Sequence, residues 1–310
     1  MATTESPAFI GVDWGTSSLR AALLDADGQV IEERGSPQGI LQVGGGAFAA
    51  VLSQTVGDWL QGGRLPCLIS GMAGSRQGWL ETPYLPCPAS FETLAKHLVW
   101  VPDLPWRVGL VPGLSVRSGS VPDVMRGEEV QVFGALRLSQ AQDGLFVLPG
   151  THSKWTQVEN SRITGFSTWM TGEFYALLSQ HSLLARSLDP QAAWDPTAFE
   201  QGVLRAGQGP GLLHTAFGTR TLGLFGELPA AAQASYLSGL VIGEELRGLP
   251  VPGGLQVQLI GAPALTQRYA HALSLRGIDS RRHGHEATWS GLCGLYRQIQ
   301  QIQQMTKDPT

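Results

Sequence analysis

The sequence predicts a two-lobed α/β protein in which one unit, three strands then helix, strand and helix (βββαβα), occurs twice around an interlobe cleft. Two observations predict it. Of the 310 residues, 43% are hydrophobic and 15% charged, enough to bury a large core, while 40 Gly and 19 Pro supply turns between short elements. The order of elements in the first half begins again after Gln140, and a shift of 135 residues lays Gly150-Thr151-x-Ser153 on Gly15-Thr16-x-Ser18. The lobes are expected at 1–141 and 142–310.

Along the chain, FIGVDWG reads as the first strand and LRAALLD as the second, and the Asp27-Gly28 turn leads into QVIEER. Apolar residues at three-to-four spacing predict a helix over AFAAVLSQTVGDWLQ. CLISGMAG is a buried strand ending in a Gly-rich loop, ASFETLAKHL a helix with Ser90 as N-cap, WRVGLVPG a strand and EEVQVFGALRL a helix. GLFVLPG, SKWTQVE and SRITGFST repeat the three strands, and TGEFYALLSQHSLL repeats the helix. LPAAAQASYLSGLVIGEELRG (helix), QVQLIGAP (strand and Gly turn), ALTQRYAHALSLRG (helix) and ATWSGLCGLYRQIQQIQQM (helix) complete the pattern.

The net charge is −4, with 21 basic and 25 acidic residues spread along the chain, so no basic stripe marks a nucleic-acid or anionic-membrane partner. No apolar run reaches membrane-spanning length, and MATTESPAF lacks the pattern of a secretory signal. Cys67, Cys87 and Cys293 form no Cys-x-x-Cys pair, which argues against a disulfide framework or zinc site and for a reducing, cytoplasmic setting. The expected partners are small molecules; a homodimer is compatible with the chain, whose oligomeric state the sequence leaves open.

One residue breaks the apolar pattern. Asp13, flanked by Ile10, Val12 and Trp14, is costly to bury unless a positive or hydrogen-bonding group meets it. It runs into Gly15, Thr16, Ser17 and Ser18, whose backbone N–H and hydroxyl groups suit phosphate oxygens. There Asp13 would hold the hydration shell of Mg²⁺. The second turn, Gly150, Thr151, His152 and Ser153, adds Lys154 to offset phosphate charge, with packing an equal reading for His152. Either turn alone reads as a hairpin; two in a repeated frame point to a nucleotide clamp. No Gly-x4-Gly-Lys-Ser/Thr is present, and no apolar strand precedes the glycines at 207–211, so neither a P-loop nor a dinucleotide loop fits. Arg281-Arg282-His283-Gly284-His285 reads as a solvated loop.

DWGTSS and LPGTHSK resemble the phosphate-1 and phosphate-2 motifs of the actin/hexokinase/Hsp70-like ATPase superfamily. LIGAPALTQRYAHAL resembles its adenosine motif, where Gly261 and Ala262 would let an adenine lie against the backbone, although Ala262-Pro263 stands where glycines are common. The resemblance implies ribonuclease-H-like lobes of the actin-like ATPase fold, with ATP and Mg²⁺ in the cleft. GMAGSRQGWLETPYLPCPAS, VPDVMRGEEVQVFGAL, LPGTHSKW, STWMTGEFYALL and YLSGLVIGEE together resemble the 2-dehydro-3-deoxygalactonokinase family, from Phe9 to about Gly294. That implies transfer of the ATP γ-phosphate to the 6-hydroxyl of 2-dehydro-3-deoxy-D-galactonate.

Such a kinase needs a base for the sugar hydroxyl. Glu128 is the first choice and Asp123 the second, against the competing view that acids simply favour a helix N-terminus. The substrate carboxylate calls for an Arg: Arg76, with Gln77 beside it, comes first, then Arg126 and Arg220. Trp79 either walls the pocket or belongs to the core, and Thr171 either touches substrate or phosphate or opens a capped helix. A kinase for another sugar acid or an amino sugar fits the same motifs. An actin- or chaperone-like ATPase fits less well, because the length leaves no room for a peptide-binding domain.

Overall fold

Strand Phe9–Trp14 (β1) is buried at every position except Asp13, the pattern of a strand covered on both faces. In the computed structural model, which describes residues 6–60, 62–117, 121–249 and 254–307, β1 pairs antiparallel with Leu19–Leu24 (β2), and β2 with Val30–Ser36 (β3). β3 is an edge strand whose Glu32, Glu33 and Arg34 keep it in solvent. Phe48–Leu60 (α1) turns Val51, Leu52, Val56 and Leu60 into the core against Ile10, Val12 and Trp14. Cys67–Gly71 (β4) returns parallel to β1, as a helical crossover allows.

Next come Tyr84–Pro86 (β5), Phe91–Lys96 (α2), Val99–Trp100 (β6), Val108–Leu110 (β7), Gly113–Val116 (β8), Asp123–Met125 (β9) and Glu128–Ser139 (α3). Ser90 caps α2 in a reciprocal box with Thr93. The main sheet has the order β3-β2-β1-β4-β7-β6, and β5-β8-β9 form a small second sheet.

The second half lays down Gly144–Leu148 (β10), Ser153–Glu159 (β11), Arg162–Trp169 (β12) and Thr171–His181 (α4). Helices Pro196–Ala206 (α5), Leu212–Thr215 (α6), Gly218–Leu224 (α7) and Ala230–Arg247 (α8) precede Val257–Ile260 (β13), Pro263–Ser274 (α9), Ser280–His283 (β14) and Glu286–Lys307 (α10). This sheet runs β12-β11-β10-β13-β14, which matches β3-β2-β1-β4-β7 strand for strand. The duplication read from the two Gly-Thr turns is therefore a repeat of topology, with β6 added antiparallel at the edge of the first copy.

Three features differ from the sequence reading. Residues 281–283 belong to a strand rather than a solvated loop: β14 pairs with β13, and His283 is buried with Nε2 2.8 Å from Gln258 Oε1. Helices α5 to α7 occupy a stretch in which no element was expected. The chain also does not divide at 141/142. One unit comprises residues up to Gly144, Thr156–Phe166 and the chain from His285 on; the other comprises Leu145–Trp155 and Ser167–Gly284. In the first, α10 stacks Tyr296 on Phe9 with ring centroids 4.6 Å apart, bonds Trp289 to Glu33, and pairs Arg297 with Asp27 at 2.8 Å. Periodicity marks a helix but not the body it packs on, so the last helix was assigned by sequence order alone. No helix among the described residues is long and apolar enough to cross a membrane.

Candidate active site

In the first unit the carboxyl ends of β1 and β4 lie side by side, Asp13 opposite Ser70 and Trp14 opposite Gly71. Such strand ends are where open α/β sheets take ligands. Gly71 has φ +100°, and a Cβ there would meet the Trp14 carbonyl at 2.8 Å and stand 3.5 Å from Asp13 Oδ1. Gly127, at φ +101° before α3, approaches equally closely: its Cβ would lie 3.0 Å from Gly71 Cα and 3.9 Å from Ser70 Oγ. Two strand ends and one helix N-terminus thus converge on bare backbone. The Ser70 hydroxyl is buried there with no hydrogen-bond partner among the described residues.

Two adjacent acids open α3, and the fold separates them. Glu129 is fully buried, and both its oxygens accept from the Gly127 N–H, at 2.9 and 2.8 Å. Burial, then the charge of Glu128, pushes its carboxyl up to about 8. Glu128 is half-buried, and its Oε2 accepts from the Arg126 N–H at 2.9 Å. Asp123 begins β9 opposite Val116, in the small sheet, with Oδ1 2.8 Å from the Val124 N.

Asp13 does meet a positive group. Arg20, its cross-strand neighbour on β2, donates to Oδ2 at 2.7 Å; the Arg side chain is 49% exposed and the Asp 16%. So exposed an arm contributes about 0–1 kcal/mol and leaves the carboxylate open to exchange partners. The turn beyond is held by Gly15 N–H to the Ser18 carbonyl (2.9 Å), Ile40 N–H to the Gly15 carbonyl (3.0 Å) and Leu41 N–H to the Thr16 carbonyl (3.3 Å). Thr16, Ser17 and Ser18 are exposed, and the N–H groups of Thr16 and Ser17 reach no acceptor among the described residues.

After β4 the chain folds back on itself, with Trp79 N–H on the Ala73 carbonyl (2.7 Å) and Thr82 N–H on the Gly74 carbonyl (2.9 Å). Arg76 and Gln77 stand exposed at the tip, and Arg76 has no side-chain partner among the described residues. Trp79 stacks on Phe48 at 6.1 Å and meets Trp14 edge-on at 6.2 Å, so its ring is part of the core wall. Arg126, second choice for the substrate carboxylate, is already committed. It is 7% exposed, donates to the Thr82 carbonyl (2.9 Å) and hydroxyl, and covers the Tyr84 ring at 4.3 Å.

In the second unit, Gly150, Thr151 and His152 form the turn. Its Thr151 carbonyl accepts from the Glu173 N–H at 2.9 Å, and His152 Nε2 lies 2.6 Å from Glu173 Oε2. Ser153 and Lys154 are instead buried in β11, with Lys154 Nζ 2.6 Å from Thr168 Oγ1. Ser153 donates at 2.8 Å to Glu245, a buried acid on α8. The Thr171 hydroxyl, read either as a contact to substrate or phosphate or as part of a capped helix start, donates to Glu245 at the first residue of α4. Burial pushes the Glu245 carboxyl up against the pull of its donors, Thr171, Trp155, Tyr269 and Ser153. Sequence reading passed over Glu245, although its signal resembles that of Asp13. Leu237, Val241 and Glu245 are four apart on the buried face of α8, an acid in an apolar stripe.

Gly261 bonds the His283 carbonyl at 3.1 Å, and exposed Ala262 precedes Pro263, which opens α9 where proline is well tolerated. Gly150, Thr171, Gly172, Tyr175, Arg268 and Tyr269 line a cavity of about 60 Å³. A second cavity of about 490 Å³ shares Tyr175 and Arg268 and adds Asp189, Trp194 and Ser235. Arg220 lies half-buried on α7 with no side-chain partner among the described residues. Among those residues no three His, Cys, Asp or Glu side chains cluster as a metal cage would require.

Residues 13–295 match the family model described as 2-keto-3-deoxy-galactonokinase. The 2-dehydro-3-deoxygalactonokinase of Escherichia coli K12 is 38% identical over 273 residues, 87% of this chain and 91% of that one. A solved structure from Sinorhizobium meliloti, provisionally given the same enzyme name, is 34% identical with a TM-score of 0.87, over 95% of this chain and 99% of that one. The activator of the 2-hydroxyisocaproyl-CoA dehydratase from Clostridium difficile, 10% identical, shares the fold alone, with a TM-score of 0.52 over 97% of this chain and 99% of that one. The fold is the duplicated ribonuclease-H-like fold of the actin-like ATPases.

Proposed function

The chain belongs to the 2-keto-3-deoxy-galactonokinase family, and on that premise we propose that it transfers the γ-phosphoryl group of ATP to the 6-hydroxyl of 2-dehydro-3-deoxy-D-galactonate. The observation that carries the chemistry is the convergence of the Asp13 carboxylate, the bare Gly71 backbone and the start of α3 at Glu128. Glu128, half-buried at a helix N-terminus and hinged on the Arg126 N–H, accepts the proton of the 6-hydroxyl. The sugar oxygen forms its bond to the γ-phosphorus as the bond from that phosphorus to the β,γ-bridging oxygen breaks, and ADP leaves. Arg76 takes the substrate carboxylate through its guanidinium fork, with Gln77 available to a hydroxyl.

Within the second unit, the turn at Gly150–His152 carries donors suited to phosphate oxygens and the cavity of about 490 Å³ has room for a nucleoside; within the first, the turn at Gly15–Ser18 carries donors of the same kind. Mg²⁺ fits the residues present: the Asp13 carboxylate lies across from the Ser70 hydroxyl, which has no partner among the described residues, and would hold the hydration shell of the ion. When bound with ATP, it supplies neutralisation of phosphate charge. The three free cysteines suit a reducing cytoplasm.

The test is the product itself. Incubation with ATP and 2-dehydro-3-deoxy-D-galactonate should give, by ³¹P NMR, one phosphate monoester coupled to the C6 methylene protons, equimolar with ADP. An ester at another carbon, or none, would overturn the assignment.

A further inference from the structure

Beneath the second turn lies a carboxylate that the phosphoryl transfer itself does not use. Glu245 is 2% exposed, and donors from three separate segments fill both its oxygens. Oε1 accepts from Ser153 Oγ (2.8 Å) and Trp155 Nε1 (2.5 Å), at the start of β11. Oε2 accepts from Tyr269 OH (2.7 Å) on α9 and from the hydroxyl of Thr171, the first residue of α4. An ionised carboxylate has about four acceptor sites, so nothing is left to solvent or ligand.

The segments gathered here border the turn. Ser153 follows it directly in sequence. Thr171 leads into Gly172, where a Cβ would collide with the Gly150 carbonyl and stand 2.9 Å from Thr151 Cα, so α4 can dock there only with glycine. The next residue, Glu173, holds the Thr151 carbonyl by its N–H and His152 by its carboxylate. Tyr269, Thr171 and Gly150 line the same small cavity. No hydrophobic packing could fix three backbones in one register with this directionality, because each bond to the carboxylate specifies both distance and angle.

We propose that Glu245 is the positioning residue of the phosphate turn: its carboxylate ties β11, α4 and α9 together so that the Gly150–His152 backbone presents its donors in one fixed arrangement to the polyphosphate of ATP. The inference rests on the kinase reading and deepens it. Misplacing such donors by an ångström loses affinity although no ligand contact is deleted. The role also accounts for Thr171, whose hydroxyl serves the tether instead of the ligand.

Tyr269→Phe and Ser153→Ala each delete one donor, and both hydroxyls are already engaged by Glu245. Each should raise the Kd for the non-hydrolysable analogue AMPPNP and the KM for ATP by about tenfold, leaving the KM for the sugar acid within about twofold of the native value. Glu245→Gln, which keeps the shape and removes the charge, should exceed either; if it does not fold, the two single-donor variants decide. A purely structural role would lower the melting temperature and leave the AMPPNP Kd unmoved, and that result in both variants would overturn the proposal. Failure of the native protein to bind AMPPNP would sink the kinase reading along with it.

Discussion

The two Gly-Thr turns share a sequence pattern and a place in the repeated topology, yet they treat their carboxylates in opposite ways. In the first unit the acid is Asp13, at the mouth of the turn and paired with the exposed arm of Arg20. In the second it is Glu245, underneath the turn and saturated by four donors. The matching serines diverge in step. Ser18 is exposed before β2 begins, whereas Ser153 is already the first residue of β11 and points inward. The first turn has an acid at its mouth, whereas the acid beside the second is bound by donors of its own unit. One repeated topology thus carries two different arrangements of charge.

That contrast can be broken most sharply from the first unit. Glu128→Gln should lower kcat by roughly 10²–10⁴-fold, the range for loss of a general base, while the circular dichroism spectrum stays native. Near-native turnover would move the base to Asp123. Asp13→Asn should cost roughly 10²–10³-fold in kcat, because the carboxylate that would hold the hydration shell of Mg²⁺ beside the phosphates is gone. A deficit confined to stability would make Asp13 the counterpart of Glu245 and erase the distinction between the turns. Arg76→Lys keeps the charge and loses the fork, so the KM for the sugar acid should rise by about tenfold, with the KM for ATP unchanged. An equal rise in both would remove Arg76 from the sugar site.

The smallest expected effect concerns Glu129. Its carboxyl, pushed to about 8 by burial and by Glu128, lies above its unfolded value, so the native state holds a proton that the unfolded chain has released. The stabilisation from that held proton is therefore present at low pH and lost as pH climbs from about 4.5 to about 8. Urea midpoints of Glu129→Gln should accordingly fall less across that window than those of the native protein; parallel curves would mean that Glu129 is already ionised when folded.

Much of this architecture could be read from residues alone. Apolar runs and the Asp27-Gly28 turn placed the hairpin strands, three-to-four spacing placed α1, and Ser90 marked the start of α2 by its chemistry. Asp13 was visible as an acid in an apolar strand, and the pair Glu128–Glu129 as acids at a helix start. Tertiary pairing was not visible. Nothing local says that α10 joins the first unit, that Arg281 and Arg282 lie on an edge strand, or that Arg126 turns inward to Thr82. Glu245 was missed for a related reason. In a helix an acid is ordinarily a surface residue, and only the donors brought by β11, α4 and α9 reveal why this one is buried.

The central claim is that the turns and the acids serve phosphoryl transfer to a sugar acid, and coupled ADP release across a panel of six-carbon aldonic and keto-deoxy acids tests it most directly. The account predicts strong stimulation by 2-dehydro-3-deoxy-D-galactonate, lost in Glu128→Gln. Steady basal hydrolysis with no stimulation by any sugar acid would contradict it.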